Sequence, residues 1–176
     1  MMSNQAAATY PGSHPGADAA RGTASVTIAV VVQVFVAIVA VAVRFAAPGW
    51  MLLIWMFGGE AVALMPLSIA SVIGVLILRR GAPRLRAAAV GALAVMDLAL
   101  LTFALTAPDI LHAEDSNLVP IVTLTRHQHE VSEHIATIFQ AIADLALLCY
   151  ALSAGLMVCL GIVGRFRGRR AATAAG

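Results

Sequence analysis

The amino-acid sequence predicts an all-α integral membrane protein, a four-helix bundle with its N and C termini in the cytoplasm. Hydrophobic residues make up 61% of the 176-residue chain and charged residues only 11%. A soluble domain is about half apolar and about a quarter charged. The mean hydropathy is +0.92, and too few polar side chains remain to coat a surface in water. Lipid must therefore provide much of the solvent.

Four apolar segments give the predicted helices. A helix needs about 20 apolar residues to cross the hydrocarbon core of a bilayer. Turn-forming Pro48 ends the first segment and Pro108 ends the third, while Pro66 lies inside the second and predicts a kink there. Within a membrane domain of residues 24–164, the predicted spans are 24–47, 50–78, 85–107 and 134–164.

The segments between and beyond the spans predict the orientation. Residues 1–23 are small and polar, and we expect a disordered cytoplasmic tail. Most of the basic residues, all of them arginines, flank the spans on one side: Arg21, Arg79, Arg80, Arg84, Arg86, Arg165, Arg167, Arg169 and Arg170. The positive-inside rule places that side in the cytoplasm. It makes 165–176 a basic cytoplasmic tail and 108–133 an extracytoplasmic loop.

Three carboxylates interrupt the predicted spans: Glu60, Asp97 and Asp144. Each lies about ten residues, or roughly 15 Å, from the outer end of its span. Crowded acids in a medium of low dielectric favour protonation, so we expect at least one to be neutral at pH 7. One interpretation is a proton or cation site at the middle of the membrane. The alternative is that protonated acids hydrogen-bond neighbouring helices and hold them together.

Polar and small residues near these acids suggest how the helices would meet. On the fourth span a seam of residues shares one face, which predicts an inward-facing helix contact; it contains Thr137, Ala141, Asp144, Ala151 and Gly155, flanked by Gln140. Ser68, Ser71 and Thr102 on the second and third spans are candidate partners for the acids. Their alternative role is to hydrogen-bond their own helix backbone.

The outer loop contains most of the histidines. If the chain is helical into the fourth span, His127, Glu130 and His134 share a face, and His129 and His112 are weaker candidates. Two imidazoles and a carboxylate on one face could bind Zn²⁺ or Cu²⁺. The metalloprotease pattern His-Glu-x-x-His is not met, and a solvated polar entry to the helix is the alternative interpretation.

The function classes follow from these features. No nucleotide-binding loop, nucleophile elbow or basic nucleic-acid-binding face is present, so we predict neither an enzyme nor a nucleic-acid-binding protein. The size and four-pass plan resemble those of small multidrug transporters and of phage membrane proteins that block superinfection, although the first span lacks the acid that those transporters carry there. We predict a small proton or cation channel or transporter.

Two alternatives remain open. One is an accessory or interaction protein, including a phage or host-defence protein. The other is a metal-binding membrane enzyme. The expected partners are the lipid bilayer and further copies or other membrane subunits. The Arg- and Ala-rich composition points to a bacterial cytoplasmic membrane.

Overall fold

The computed structural model describes residues 15–45, 55–110, 117–126 and 131–173. Helices account for most of this part of the chain. In chain order the elements are α1 (Pro15–Arg44), a wide helical turn (Trp55–Gly59), α2 (Glu60–Arg80), α3 (Pro83–Thr106), β1 (Asp109–Ile110), β2 (Asn117–Leu118), α4 (Pro120–Arg126) and α5 (Glu133–Thr173). The two short strands pair antiparallel, with Asp109 opposite Leu118.

Three of these helices are long and apolar enough to cross a membrane within the described ranges. Their apolar parts are Val26–Arg44, Pro83–Thr106 and Glu133–Phe166. The outward surface of the helices is itself apolar: Phe35 is 65% exposed and Leu98 is 67% exposed. Apolar contact area of this extent indicates a lipid or protein environment. The prediction of a helical chain with apolar helices of membrane-spanning length is confirmed for three of them.

Helix α1 begins earlier than the sequence predicted. The prediction was disorder through residue 23 and a helix from residue 24, whereas α1 starts at Pro15. Proline suits the first turn of a helix because its φ angle is already close to the helical value. The residues after it are rich in alanine, the strongest helix former. Residues 1–14, the rest of the predicted tail, lie outside the described residues.

The second predicted span, 50–78, is divided in the structure. Phe57 and Gly58 leave helical geometry, and Gly58 has a φ angle of +111°. Glycine adopts this left-handed conformation without the steric cost that a Cβ would add. Regular helix therefore starts only at Glu60, and it continues to Arg80.

Helices α2 and α3 form a central pair, connected by the short Gly81-Ala82 turn, with α1 and α5 packed on opposite sides of it. The most extensive packing is between α3 and α5. Helix α5 buries residues spaced by three, four or seven positions, which places them on one face: Ala136, Ala143, Ala146, Tyr150, Ser153 and Met157. A Cβ at Gly74 of α2 would lie only 2.8 Å from Leu93 Cδ1, so glycine permits the close approach of α2 to α3.

Candidate functional site

Each long helix contributes one polar side chain to a network in the core: Gln33 from α1, Ser71 from α2, Asp97 from α3 and Tyr150 from α5. Each residue lies near the middle of the apolar part of its helix. Gln33, Asp97 and Tyr150 are buried, with exposed fractions of 7%, 8% and 6%. The network therefore lies at mid-depth among the helices.

An amide and a carboxyl group form the centre of the network. Gln33 Nε2 donates to Asp97 Oδ1 at 2.7 Å and to Oδ2 at 2.6 Å. The other end of the same amide, Oε1, lies 3.0 Å from the Ser71 hydroxyl oxygen. That hydroxyl is also 2.7 Å from the Leu67 carbonyl oxygen, and its single proton goes to one acceptor at a time. These contacts connect α1 with both α2 and α3.

Tyr150 extends the network to α5. The Tyr150 hydroxyl hydrogen-bonds with the backbone of Leu67 in α2. It is also close enough to Asp97 of α3 for an electrostatic interaction. A buried tyrosine hydroxyl usually has such a partner. All four long helices therefore meet through hydrogen-bonding groups as well as through apolar packing.

The carboxyl group of Asp97 lacks a neighbouring cation within the described part of the chain. Among the described residues, no arginine pairs with its carboxyl group. An acid near the centre of a bilayer costs about 2.5–3.5 kcal/mol on insertion scales, and hydrogen bonds to the carboxyl group offset part of that cost. A carboxyl group that is buried, hydrogen-bonded and uncompensated can gain or lose a proton or bind a small cation.

A second polar cluster lies where α1 and α3 end. Arg44 is 0% exposed, and its Nη1 donates to the carbonyl oxygen of Ala107 at 3.0 Å. Its guanidinium lies 5.6 Å from the centre of the Phe103 ring, and it interacts electrostatically with Asp109, which is 2% exposed. Within the described residues, Nε and Nη2 of Arg44 make no hydrogen bond. The cluster joins the C-terminal ends of α1 and α3.

The structure separates two of the three predicted acids, because Asp97 is buried and Asp144 is exposed. Glu60 is the first residue of α2, at a helix end and not within a helix; its side chain is outside the described part. Asp144 is exposed on α5 and accepts a hydrogen bond from Gln140 at 2.7 Å. The reason is that α5 packs on its neighbours through the face that contains Tyr150 and Met157. The small-residue seam expected to face inward therefore lies on the outer side.

The hydroxyl groups predicted as partners have different roles. Ser68 and Thr102 donate only to carbonyl oxygens one turn earlier in their own helices. Ser71 also reaches Gln33, so it is the predicted hydroxyl that contacts another helix. Of the three hydroxyl groups predicted as partners for the acids, the network therefore contains that of Ser71.

The predicted metal ligands lie mostly outside the described residues. His134 is exposed in the first turn of α5. The other candidate ligands lie outside the described residues: His112, His127, His129 and Glu130. The described residues contain no group of three side chains placed to hold a metal ion. The Zn²⁺ or Cu²⁺ site stays a prediction.

Sequence reasoning missed Gln33, Tyr150 and the burial of Arg44. Gln33 had a visible signal, because it is an amide within an apolar run of valine and alanine, and polar residues in such runs mark helix contacts. Tyr150 had a weaker signal, since tyrosine also occurs at membrane surfaces. The burial of Arg44 had no signal, because an arginine close to the end of an apolar segment is usually exposed.

Fold and site together define a class: a helical membrane protein whose core contains a carboxyl, amide and hydroxyl network. Comparisons with protein-family models, curated proteins and solved structures returned no match. The function has to be argued from the site, because one fold supports many functions.

Proposed function

We propose that this chain is a four-pass protein of the bacterial cytoplasmic membrane, and that Asp97 binds and releases protons, or binds a small cation, as part of a channel or transporter. The observation that carries the proposal is the position of Asp97: a buried, uncompensated acid at the middle of an apolar helix, in hydrogen-bond contact with Gln33. Acids in this situation usually have a function in membrane proteins.

The direction of the helices supports four crossings. Gln33 and Arg44 of α1 contact Asp97 and Ala107 of α3, so α1 and α3 run in the same direction. If both cross the bilayer, the chain between them must return across it, and α2 is the only long helix described in that interval. Helix α2 has 21 residues, Glu60–Arg80, which is about the length that crosses the hydrocarbon core. The arginine distribution supports cytoplasmic termini.

The network can satisfy both protonation states of Asp97. In the arrangement observed, the carboxyl group only accepts, from Gln33 Nε2, which suits the ionised form. When Asp97 carries a proton it must donate, and a reversed Gln33 amide would offer Oε1 as the acceptor. Gln33 Nε2 would then donate to the Ser71 hydroxyl, which is already within reach of the Leu67 carbonyl oxygen. Proton binding would thereby alter the contacts of α1 with α2 and α3.

Flux measurements test this function. Purified protein in liposomes is assayed for proton and monovalent cation movement, comparing the wild type with Asp97→Asn, which is nearly isosteric. We expect the substitution to reduce flux at least about tenfold. This is a cautious lower bound, because a group that transfers a proton typically contributes about a hundredfold or more. The matched control is Asp144→Asn, which changes an exposed acid and should retain flux. No flux in the wild type, or equal flux in Asp97→Asn, would contradict the proposal.

A second candidate is an accessory or interaction protein of a larger membrane assembly, with phage and host-defence proteins included. It is favoured by the hydrogen bonding of both Asp97 oxygens, because holding helices together is by itself a sufficient role for a network whose groups are hydrogen-bonded. Purification in mild detergent followed by mass spectrometry separates the two functions. A stoichiometric different protein, with no flux from this chain alone, would favour the accessory function.

The third function, a metal-binding membrane enzyme, depends on the outer histidines. Metal analysis after gentle purification tests it directly, followed by Zn²⁺ titration of the apoprotein. Stoichiometric metal that is lost in His134→Ala would support it. Absence of both bound metal and uptake would remove it.

A further inference from the structure

Helix α5 carries a face that no other described element covers. It carries small and polar residues and one leucine at spacings of three, four and seven positions, all of them exposed: Thr137, Ala141, Asp144, Leu148, Ala151 and Gly155. At Gly155 no atom of another described helix lies within 4 Å of the position a Cβ would take. We call this surface the outer face of α5.

A polar pair lies on this face. Gln140 Nε2 donates to Asp144 Oδ1 at 2.7 Å, and this is the hydrogen bond that the described chain provides to Asp144. Gln140 retains its Oε1 and a second N–H, and Asp144 retains Oδ2. Asp144 is about 9 Å along α5 from Tyr150, within the apolar part Glu133–Phe166. Lipid tails offer these groups no partner, and an unsatisfied polar group in hydrocarbon is costly.

We propose that the outer face of α5 binds the same face of a second copy of this chain. Copies inserted in one orientation are related by an axis along the membrane normal, so their α5 helices run parallel and identical residues meet at equal depth. The polar pair is complementary to itself in that geometry. Gln140 of each copy can donate its second N–H to Asp144 Oδ2 of the other, which gives partners to a donor and an acceptor that lipid leaves unsatisfied.

The shape of the face agrees with a helix as the occupant. Small residues let two helix backbones approach closely in lipid, and Ala141, Ala151 and Gly155 provide such positions on either side of Asp144. The exposed surface beside it consists of large aliphatic side chains that suit lipid: Leu145, Leu152 and Leu156. The proposal requires that α5 crosses the membrane, and it is independent of proton handling by Asp97.

Cysteine cross-linking in native membranes tests the geometry. The background carries Cys149→Ala and Cys159→Ala, which removes both natural thiols. Ala151→Cys lies on the outer face, and Leu156→Cys is an exposed control about 140° around the helix. Mild oxidation should link Ala151→Cys into a covalent dimer and leave Leu156→Cys monomeric. No linkage at Ala151→Cys, or equal linkage at both positions, would overturn the proposal.

Association measurements test the chemistry. Two differently labelled copies are mixed in detergent and their energy transfer is followed with dilution. Asp144→Leu should weaken association at least about tenfold, as expected for two lost hydrogen bonds, whereas Asp144→Asn should retain it because the amide still hydrogen-bonds. Unchanged helical content shows that each variant is folded. Association that is equal in Asp144→Leu and the wild type would refute the idea, as would a different protein cross-linked at Ala151→Cys.

Discussion

Asp97 and Asp144 are the same residue type in apolar helices, yet the structure gives them opposite environments. Asp97 is 8% exposed and accepts hydrogen bonds from Gln33 on another helix. Asp144 is exposed and, within the described residues, accepts its hydrogen bond from Gln140 on its own helix. Position along a helix therefore does not decide what an acid does, because the face of the helix determines which groups it meets. The predictions below compare buried polar groups with exposed ones.

The largest effect is expected at Arg44. Arg44→Met removes the cation that faces buried Asp109 and the donor to Ala107. Breaking a buried charged pair costs about 3–5 kcal/mol, so the free energy of unfolding should fall by that amount in a denaturant titration in mixed micelles. The control is Arg126→Met, which removes an exposed arginine of α4 and should change stability by less than about 0.5 kcal/mol. Similar losses in both variants would show that the burial of Arg44 has no energetic consequence.

A smaller effect is expected at Gln33. Gln33→Leu removes the donor to both Asp97 oxygens and leaves the carboxyl group buried without it. An unsatisfied buried polar group costs about 1–3 kcal/mol. The same unfolding titration checks this loss, with Gln140→Leu as the matched control. Gln140 is exposed, so at a high detergent-to-protein ratio, where copies are separated, we expect that variant to unfold like the wild type; an equal loss would remove the distinction between the two amides.

The energetic coupling between Gln33 and Asp97 can be measured directly. Replacing both by leucine removes the donor and the acceptor together, which is far less costly than leaving either one alone. The double variant Gln33→Leu/Asp97→Leu should therefore lose less stability than the sum of the two single changes, with a coupling of about 0.5–3 kcal/mol. A double-mutant cycle measures it. Simple additivity would mean that the two side chains do not interact in the membrane.

The smallest effect distinguishes two serines of α2. Ser71→Ala removes the hydroxyl that reaches Gln33 and should cost about 0.5–1.5 kcal/mol, the net value of a hydrogen bond. Ser68 donates only to Leu64 of its own helix, so Ser68→Ala should be nearly neutral. Both variants are measured in the same unfolding titration. A larger loss in Ser68→Ala than in Ser71→Ala would contradict the role of Ser71 between helices.

Part of the site could be predicted from the sequence. Asp97 and Ser71 were identified because polar residues are rare in apolar helices and each needs a partner. Their link through Gln33 was not identified, since the sequence does not state which faces of α1, α2 and α3 meet. The seam around Asp144 was recognised as a helix contact, but it was assigned to the interior. A face of small residues looks the same whether it packs within one chain or against another.

Hydrophobic length and proline positions act locally, so the amino-acid sequence is enough to predict that the chain forms apolar helices. The early start of α1 and the break at Gly58 depend on local backbone preferences weaker than hydropathy. Only the tertiary structure decided that Asp97 is inside and Asp144 outside. The physical reason is that each helix has several faces of similar hydrophobicity, and packing against neighbours selects the one that is buried.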